Sequence, residues 1–164
     1  MFPAAVPPQE DYLTPLRIKR TPNREKIVVV DKERTLANSV VNILQRHGYC
    51  ALPAFSGEDA VHLARHFVPH CVLAEFFMPD TNGIELLTAV YEAAPQCKFL
   101  FASYDTRAAD LVDRARSKGF CCEFLAKPLA EGELLRRLSA QFEEEEPASQ
   151  PSPGITMFAK AGAV

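Results

Sequence analysis

The stretch "KIVVVD", residues 26–31, contains four consecutive apolar residues, all of them β-branched. A strand with one face in water alternates apolar and polar residues, and this run does not. A continuous β-branched run is typical of a strand that is covered on both faces, as in a parallel sheet. The sequence around this strand therefore decides the fold.

The residues that follow repeat a pattern of strand and then helix. Apolar residues recur at helical spacing up to His47, and Gly48 is placed to end that helix in the left-handed conformation. Ser56 and Asp59 form a variant of the capping box at the start of the next helix. The predicted strands are 26–31, 49–54, 71–75, 98–103 and 121–126, each followed by an amphipathic helix. Five such units predict a doubly wound α/β sheet, and right-handed crossovers leave few other topologies.

The chain has 164 residues and is 48% hydrophobic, which suits one domain with a proper core. We expect this domain at residues 26–142. Residues 1–25 are rich in proline and residues 143–164 begin with four glutamates, so both segments are predicted to be disordered tails. Residues 143–164 are too few for a DNA-binding or catalytic output domain, which favours a stand-alone module.

The net charge of -3 gives no basic field of the kind that non-specific nucleic-acid binding needs. No apolar run is long enough to cross a bilayer. A leader peptide has a basic start followed by an apolar segment, and the N-terminal residues have neither. The sequence therefore predicts a cytoplasmic protein with no nucleic-acid and no membrane partner.

Cysteine and histidine are the side chains that could bind a transition metal in this chain. The five cysteines are odd in number and lack the paired spacing of a zinc site, so we expect reduced core thiols. His62, His66 and His70 are spaced by four, but Pro69 should end the helix before His70. This pattern favours a surface histidine pair over a metal site.

Polar residues follow the predicted strands at their carboxyl ends, where ligands bind in doubly wound sheets. These residues are Asp31, Lys32, Glu33, Glu75, Ser103 and Lys127, the last of which is followed by Pro128. Carboxylates hold a hard cation, and a lysine with a hydroxyl grips phosphoryl oxygens. The sequence therefore predicts a pocket for phosphate or a divalent cation. No glycine-rich loop follows the first strand, which disfavours a flavin or dinucleotide site.

The order and spacing of "VVVDKE", "MPDTNGIELL", "AS" and "FLAKPL" resemble the receiver domain of bacterial two-component response regulators over about residues 26–142. The resemblance implies a single (βα)5 flavodoxin-like sheet. It also implies roles for four residues: Asp31 as the first of two acids, Ser103 as the hydroxyl after the fourth strand, Lys127 as the lysine before a proline, and Phe124 as the switch aromatic.

Two positions depart from the family pattern. Glu75 stands where the phosphoacceptor aspartate is expected, and Lys32 stands where the second magnesium-binding acid is expected. The pocket then holds two carboxylates, Asp31 and Glu75, against two lysines, Lys32 and Lys127, so it can be neutral without Mg²⁺. We expect no bound metal and no other cofactor, although Asp31 and Glu75 would be the ligands if Mg²⁺ bound. The sequence thus predicts a degenerate pseudo-receiver.

Two roles for Glu75 stay open. Its longer side chain places a carboxylate nearer to where a phosphoryl group would lie, so it could stand in for the phosphorylated state. Alternatively, Glu75 only pairs with Lys127.

The predicted function is a stand-alone module of phosphorelay signal transduction, not an enzyme, that works through protein contact and without phosphorylation. The expected partner is a histidine kinase or another signalling protein. The expected surface is formed by the fourth helix, the fifth strand and the fifth helix (α4-β5-α5), in a monomer or weak homodimer. The alternative is a phosphotransfer-competent regulator that accepts a phosphoryl group from a histidine kinase on Glu75 or on Asp80.

Overall fold

The computed structural model of the protein describes residues 25–143. The predicted disorder of the two tails concerns residues outside this range and stays a prediction. The described residues fall into two compact units that divide after Pro128. The first unit contains the sheet and its first four helices, and the second contains one helix.

Strands and helices alternate along the described residues, as the sequence predicts. The strands are β1 (Lys26–Val30), β2 (Cys50–Ala54), β3 (Cys71–Glu75), β4 (Lys98–Ser103) and β5 (Cys122–Ala126). The helices are α1 (Arg34–Arg46), α2 (Gly57–Phe67), α3 (Gly83–Ala93), α4 (Arg107–Ser117) and α5 (Glu131–Glu143). Within residues 25–143, no helix combines the length and the apolar character that crossing a bilayer requires.

The five strands form one parallel sheet in the order β2-β1-β3-β4-β5. β3 is therefore the central strand, and all five of its residues are buried. β1 and β4 flank it, so the carboxyl ends of three neighbouring strands meet at one edge. This edge is where polar residues were predicted to gather.

Both faces of the sheet are covered. Val28 and Val30 of β1 belong to the main core cluster, together with Ala60 and Ala64 of α2. Ile27 is also fully buried, at 0% exposure, but lies outside that cluster. Because successive strand residues point to opposite faces, β1 is buried on both sides. The predicted doubly wound, flavodoxin-like (βα)5 fold is confirmed.

Local contacts explain where the helices begin and end. The Ser56 hydroxyl accepts a hydrogen bond from Asp59 N at 3.1 Å, which caps α2 as predicted. Gly48 has φ 90°, in the left-handed region expected after α1. Val68 ends α2 with φ 50°, although a β-branched residue is strained in that conformation.

β2 is an edge strand whose outer side is partly blocked. Cys50 N donates to Glu25 O at 2.9 Å, so the backbone of Cys50 faces β1. By alternation, the backbones of Ala51 and Pro53 face away from β1. Gln45 Nε2 of α1 donates to Ala51 O at 3.1 Å, and Pro53 has no N–H to offer.

The cysteines are free thiols, as expected, but one of them is not in the core. Cys71, Cys97 and Cys122 are buried and Cys50 is half-buried, whereas Cys121 is exposed. Cys121 lies just before β5, where its carbonyl accepts from Phe99 N of β4 at 3.0 Å while its side chain stays exposed. Burial raises the pKa of the Cys71 thiol well above its usual value and that of Cys97 to about 12. These two thiols are therefore protonated and unreactive.

Candidate functional site

Three charged side chains meet at the carboxyl end of the sheet. Asp31 follows β1, Glu75 ends β3 and Lys127 follows β5. Lys127 Nζ lies 2.7 Å from Asp31 Oδ2 and 2.7 Å from Glu75 Oε2. The side chains of Lys127, Asp31 and Glu75 are 6%, 7% and 10% exposed. We call this buried triad the lysine bridge, because a single ammonium group joins both carboxylates.

The surroundings of Lys127 keep it charged. Burial alone would lower the pKa of the Lys127 ammonium, because desolvation disfavours the charged form. The hydrogen bonds to Asp31 and Glu75 outweigh burial, and the pKa is raised above its ordinary value. Lys127 N also donates to Ser103 O at 3.0 Å, and the Lys127–Pro128 peptide bond is cis. The Lys127 ammonium is therefore charged at neutral pH.

The remaining carboxylate oxygens of the lysine bridge are bound by backbone amides. Asp31 Oδ1 accepts from Glu33 N at 2.8 Å. Glu75 Oε1 accepts from Phe77 N at 3.3 Å. All four oxygens of the two carboxylates are thus hydrogen-bonded, two to Lys127 and two to the turns that follow β1 and β3. Each oxygen accepts one of these hydrogen bonds and keeps a second lone pair.

The hydroxyl of Ser103 belongs to a different set of contacts. Ser103 Oγ accepts from Asp105 N at 3.1 Å. The Asp105 carboxylate in turn accepts from Arg107 N at 3.0 Å and from Arg107 Nε at 2.9 Å. The hydrogen bonds to Arg107 hold the pKa of Asp105 at about 2. Ser103 is therefore tied to the first turn of α4, and Glu75 to Lys127.

A cavity of about 450 Å³ lies at this edge of the sheet. Its lining comprises Asp31, Lys32, Glu33, Leu36, Glu75, Phe77, Ser103, Tyr104, Asp105, Arg107 and Lys127. Four of these side chains are acidic and three are basic, so the lining carries a formal charge of only one negative unit (4 − 3). Tyr104 is 71% exposed, and the centre of its ring lies 5.7 Å from Lys127 Nζ.

The five predicted pocket residues lie together, whereas Pro128, Phe124 and Asp80, which were also named from the sequence, do not line the cavity. The predicted pocket residues Asp31, Lys32, Glu75, Ser103 and Lys127 all line the cavity. In contrast, Phe124 pairs with Phe101 across β4 and β5 and packs partly buried against the core. It is absent from the cavity lining.

The carboxylate of Asp80, the alternative phosphoryl acceptor named from the sequence, binds backbone amides of α2. Its Oδ1 accepts from Gly57 N at 3.1 Å and its Oδ2 from Glu58 N at 3.2 Å. Asp80 thus binds the amino end of α2 from the loop after β3. It does not line the cavity.

Sequence reasoning missed the residues after Ser103. The segment "YDTR", residues 104–107, supplies an aromatic ring and an ion pair to the cavity. The signal was present, because an acid two residues before an arginine at a helix start is a common local pair. These residues lie beyond the end of β4, so a prediction based on strand ends does not include them.

The family model of the response regulator receiver domain matches residues 27–139. This chain belongs to that family. The match covers the sheet except for Lys26, together with every residue that lines the cavity. Receiver domains are generally signalling modules rather than enzymes, and they interact with signalling proteins such as histidine kinases.

Two solved receivers and one curated protein illustrate the likeness. A CheY-like receiver domain from Methanospirillum hungatei is 20% identical with a TM-score of 0.66, covering 73% of this chain and 94% of that one. Chemotaxis protein CheY4 of Vibrio cholerae is 23% identical with a TM-score of 0.63, covering 70% and 96%. Because both identities are below 25%, these two structures show that the fold is shared and nothing about function.

The transcriptional regulatory protein CreB of Escherichia coli is 27% identical over 133 residues, which are 80% of this chain and 57% of CreB. The chain spans about half the length of the curated relatives it matches.

The family resemblance implies Mg²⁺ at this receiver edge, and the residues present do not fit it. Mg²⁺ demands near-octahedral oxygen ligands and keeps several waters. Here the ammonium of Lys127 lies between Asp31 and Glu75, where a cation would bind, and Lys32 lines the same cavity. Within residues 25–143, no three or more Asp, Glu, His or Cys side chains are grouped closely enough to hold a metal ion.

Proposed function

We propose that this receiver works without phosphorylation, with Glu75 at the position of the phosphoacceptor aspartate. The lysine bridge carries the proposal, because Lys127 contacts both carboxylates at 2.7 Å and so supplies their counter-charge. A receiver that accepts phosphate uses an excess of negative charge to draw in Mg²⁺, which then stabilises the transferring phosphoryl group. In this chain that excess is small, because Lys32, Arg107 and Lys127 offset the acids of the cavity.

The mode of action that we propose is contact with a protein partner, as in receivers that bind histidine kinases or other signalling proteins. The proposed contact surface is the side formed by α4 and β5. Two observations support this choice. Ser103 is linked through Asp105 to the first turn of α4, so the state of the cavity can reach that helix. Tyr104, which directly follows Ser103 and precedes α4, is exposed and so available to a partner.

The contacts of Glu75 favour the simpler of its two roles. Glu75 binds Lys127 and Phe77 N, whereas Ser103 binds Asp105 N, and no hydrogen bond found within residues 25–143 joins Glu75 to the Ser103 hydroxyl. A surrogate for the phosphorylated state would need to bind the Ser103 hydroxyl and shift its position. We therefore propose that Glu75 serves as a permanent partner of Lys127.

Incorporation of label from acetyl phosphate with Mg²⁺ tests the proposal. We expect no label on the wild-type chain or on Glu75→Asp, because Lys32 still disfavours the metal. The double variant Glu75→Asp/Lys32→Asp should gain label. A matched control is Glu75→Asp/Lys118→Asp, since Lys118 is exposed and lies outside the cavity lining. Label on the wild type would overturn the proposal and favour the phosphotransfer-competent alternative.

The role of Glu75 is tested by partner affinity in a pull-down that compares wild type with Glu75→Gln. If Glu75 only pairs with Lys127, Glu75→Gln should bind the partner as well as wild type does. A several-fold loss of affinity for Glu75→Gln alone would instead show that its charge is read by the partner.

A further inference from the structure

Two exposed histidines lie side by side on α2, away from the lysine bridge. The ring centroids of His62 and His66 are 4.4 Å apart, and the rings are tilted by 37°. We propose that His62 and His66 form a binding site for one divalent late transition-metal ion, of the class of Zn²⁺, Ni²⁺ or Cu²⁺. Imidazole nitrogens suit these ions, whereas Mg²⁺ and Ca²⁺ prefer oxygen.

The tautomer of His66 leaves the correct nitrogen free. His66 Nδ1 lies 2.9 Å from His62 O. A carbonyl oxygen can only accept, so Nδ1 carries the proton and donates it. In the neutral ring Nε2 is then unprotonated, and its lone pair is available to a metal. A hydrogen bond from the other ring nitrogen to a backbone carbonyl is also the usual support of a metal-binding histidine.

The helix places both rings for joint binding. His62 and His66 are four residues apart, so they lie on one face of α2, and both are exposed. A metal ion can therefore reach them while water fills its other positions. His66 stands in the last turn of α2, which ends at Phe67, and the partial negative charge at a helix carboxyl end favours a cation.

The third histidine of the sequence pattern does not take part. His70 lies beyond α2, and its Nδ1 accepts from Lys26 N at 2.9 Å. The site therefore has two protein ligands, which agrees with the lack of larger ligand clusters within residues 25–143. Two imidazoles bind more weakly than the three or four ligands of catalytic and structural zinc sites, so the ion should exchange freely. The spacing alone favoured an ordinary surface pair; the ring contact and the tautomer change that interpretation.

Calorimetric titration of Ni²⁺ and of Zn²⁺ into the full, untagged chain tests the site. We expect a saturable one-to-one isotherm in the micromolar range for the wild type. His62→Gln and His66→Gln should each abolish saturation in that range. His47→Gln is the matched control, because His47 is exposed but lies at the end of α1. Cys121→Ser controls for the exposed thiol, and both controls should bind as the wild type does.

Nuclear magnetic resonance with substoichiometric Cu²⁺ gives the location independently. We expect paramagnetic broadening centred on the amides of α2 and absent from those of β1 and β3 near the lysine bridge. Broadening centred on Asp31 and Glu75 would overturn the proposal and would also contradict the lack of fit for a metal there. An unchanged isotherm in His66→Gln, or no saturable binding in the wild type, would overturn the histidine site alone and leave the proposed receiver function untouched.

Discussion

Lys127 is the residue on which the charge balance of the cavity depends. Lys127→Met would leave Asp31 and Glu75 buried side by side without a counter-charge. Removing one partner of a buried ion pair costs about 3–5 kcal/mol. We expect a decrease of that order in the free energy of unfolding, measured by urea denaturation. Lys118→Met, which removes an exposed lysine, should change it little.

The double variant Lys127→Met/Glu75→Gln separates charge from packing. It leaves one buried carboxylate instead of two, so it should recover part of the lost stability. No recovery would mean that the lysine stem, not its charge, stabilises the fold.

The stability that Lys127 contributes depends on pH. Because the pKa of Lys127 is raised, its contribution is fully present below the pKa of an unfolded lysine. That contribution is lost as the pH rises through the folded value.

Val68 stores strain that a single substitution should release. It has φ 50° and is 51% exposed, so a polar replacement loses only part of the packing of a core valine. Asn tolerates the left-handed conformation far better than a β-branched residue does. We expect Val68→Asn to raise the free energy of unfolding by about 1 kcal/mol. Val68→Thr keeps the β-branch and should give no gain; an equal gain from both would exclude the backbone as the cause.

At the scale of elements, Asp80 ties the loop after β3 to the start of α2. Its carboxylate binds the amides of Gly57 and Glu58. Asp80→Ala should therefore cost about 1 kcal/mol, the usual loss for a helix cap. Hydrogen exchange should speed up at the amides of Gly57 and Glu58. Ser56→Ala removes the cap on Asp59 N, so its exchange change should centre on the next amide, that of Asp59, and identical profiles would contradict a separate role for Asp80.

The pair of Asp105 and Arg107 at the start of α4 should be visible in the titration of the folded chain. The pKa of Asp105 is lowered from 3.8 to about 2 by hydrogen bonds from Arg107. Its stabilising effect is therefore present above the ordinary carboxyl pKa and is lost as the pH falls through about 2. Arg107→Gln should return the Asp105 pKa, followed by carbon-13 chemical shifts, toward its ordinary value. Arg114→Gln, on the same helix, should leave it low.

For the molecule as a whole, the sequence was sufficient for the sheet and for most of the cavity lining. The β-branched run of β1 needs burial on both faces, and only a parallel sheet with helices on both sides supplies it. Ser56 and Gly48 mark helix ends through their own backbone chemistry, which is local and therefore readable. Residues at strand ends must meet at one edge of a parallel sheet, which is why Asp31, Glu75 and Lys127 could be grouped in advance.

The hydrogen-bond partners of individual side chains could not be predicted from the sequence. Lys127 lies 96 residues from Asp31, and only the three-dimensional structure shows that its ammonium contacts Asp31 and Glu75 together. Asp80 was named as a possible acceptor because it is near Glu75 in sequence, yet its side chain turns to α2. Cys121 was expected in the core and is exposed. The apolar run that contains it does not show at which residue the strand begins.

The edge of β2 has a consequence for how copies of this chain meet. An exposed edge strand is a template on which a second chain can add its own strand. Gln45 occupies the outward carbonyl of Ala51, and Pro53 offers no donor, so addition along β2 would lack two of its hydrogen bonds. We expect Pro53→Val to restore a donor and promote concentration-dependent association, measured by light scattering. Pro53→Val that stays monomeric at high concentration would show that Gln45 alone keeps this edge closed to neighbours.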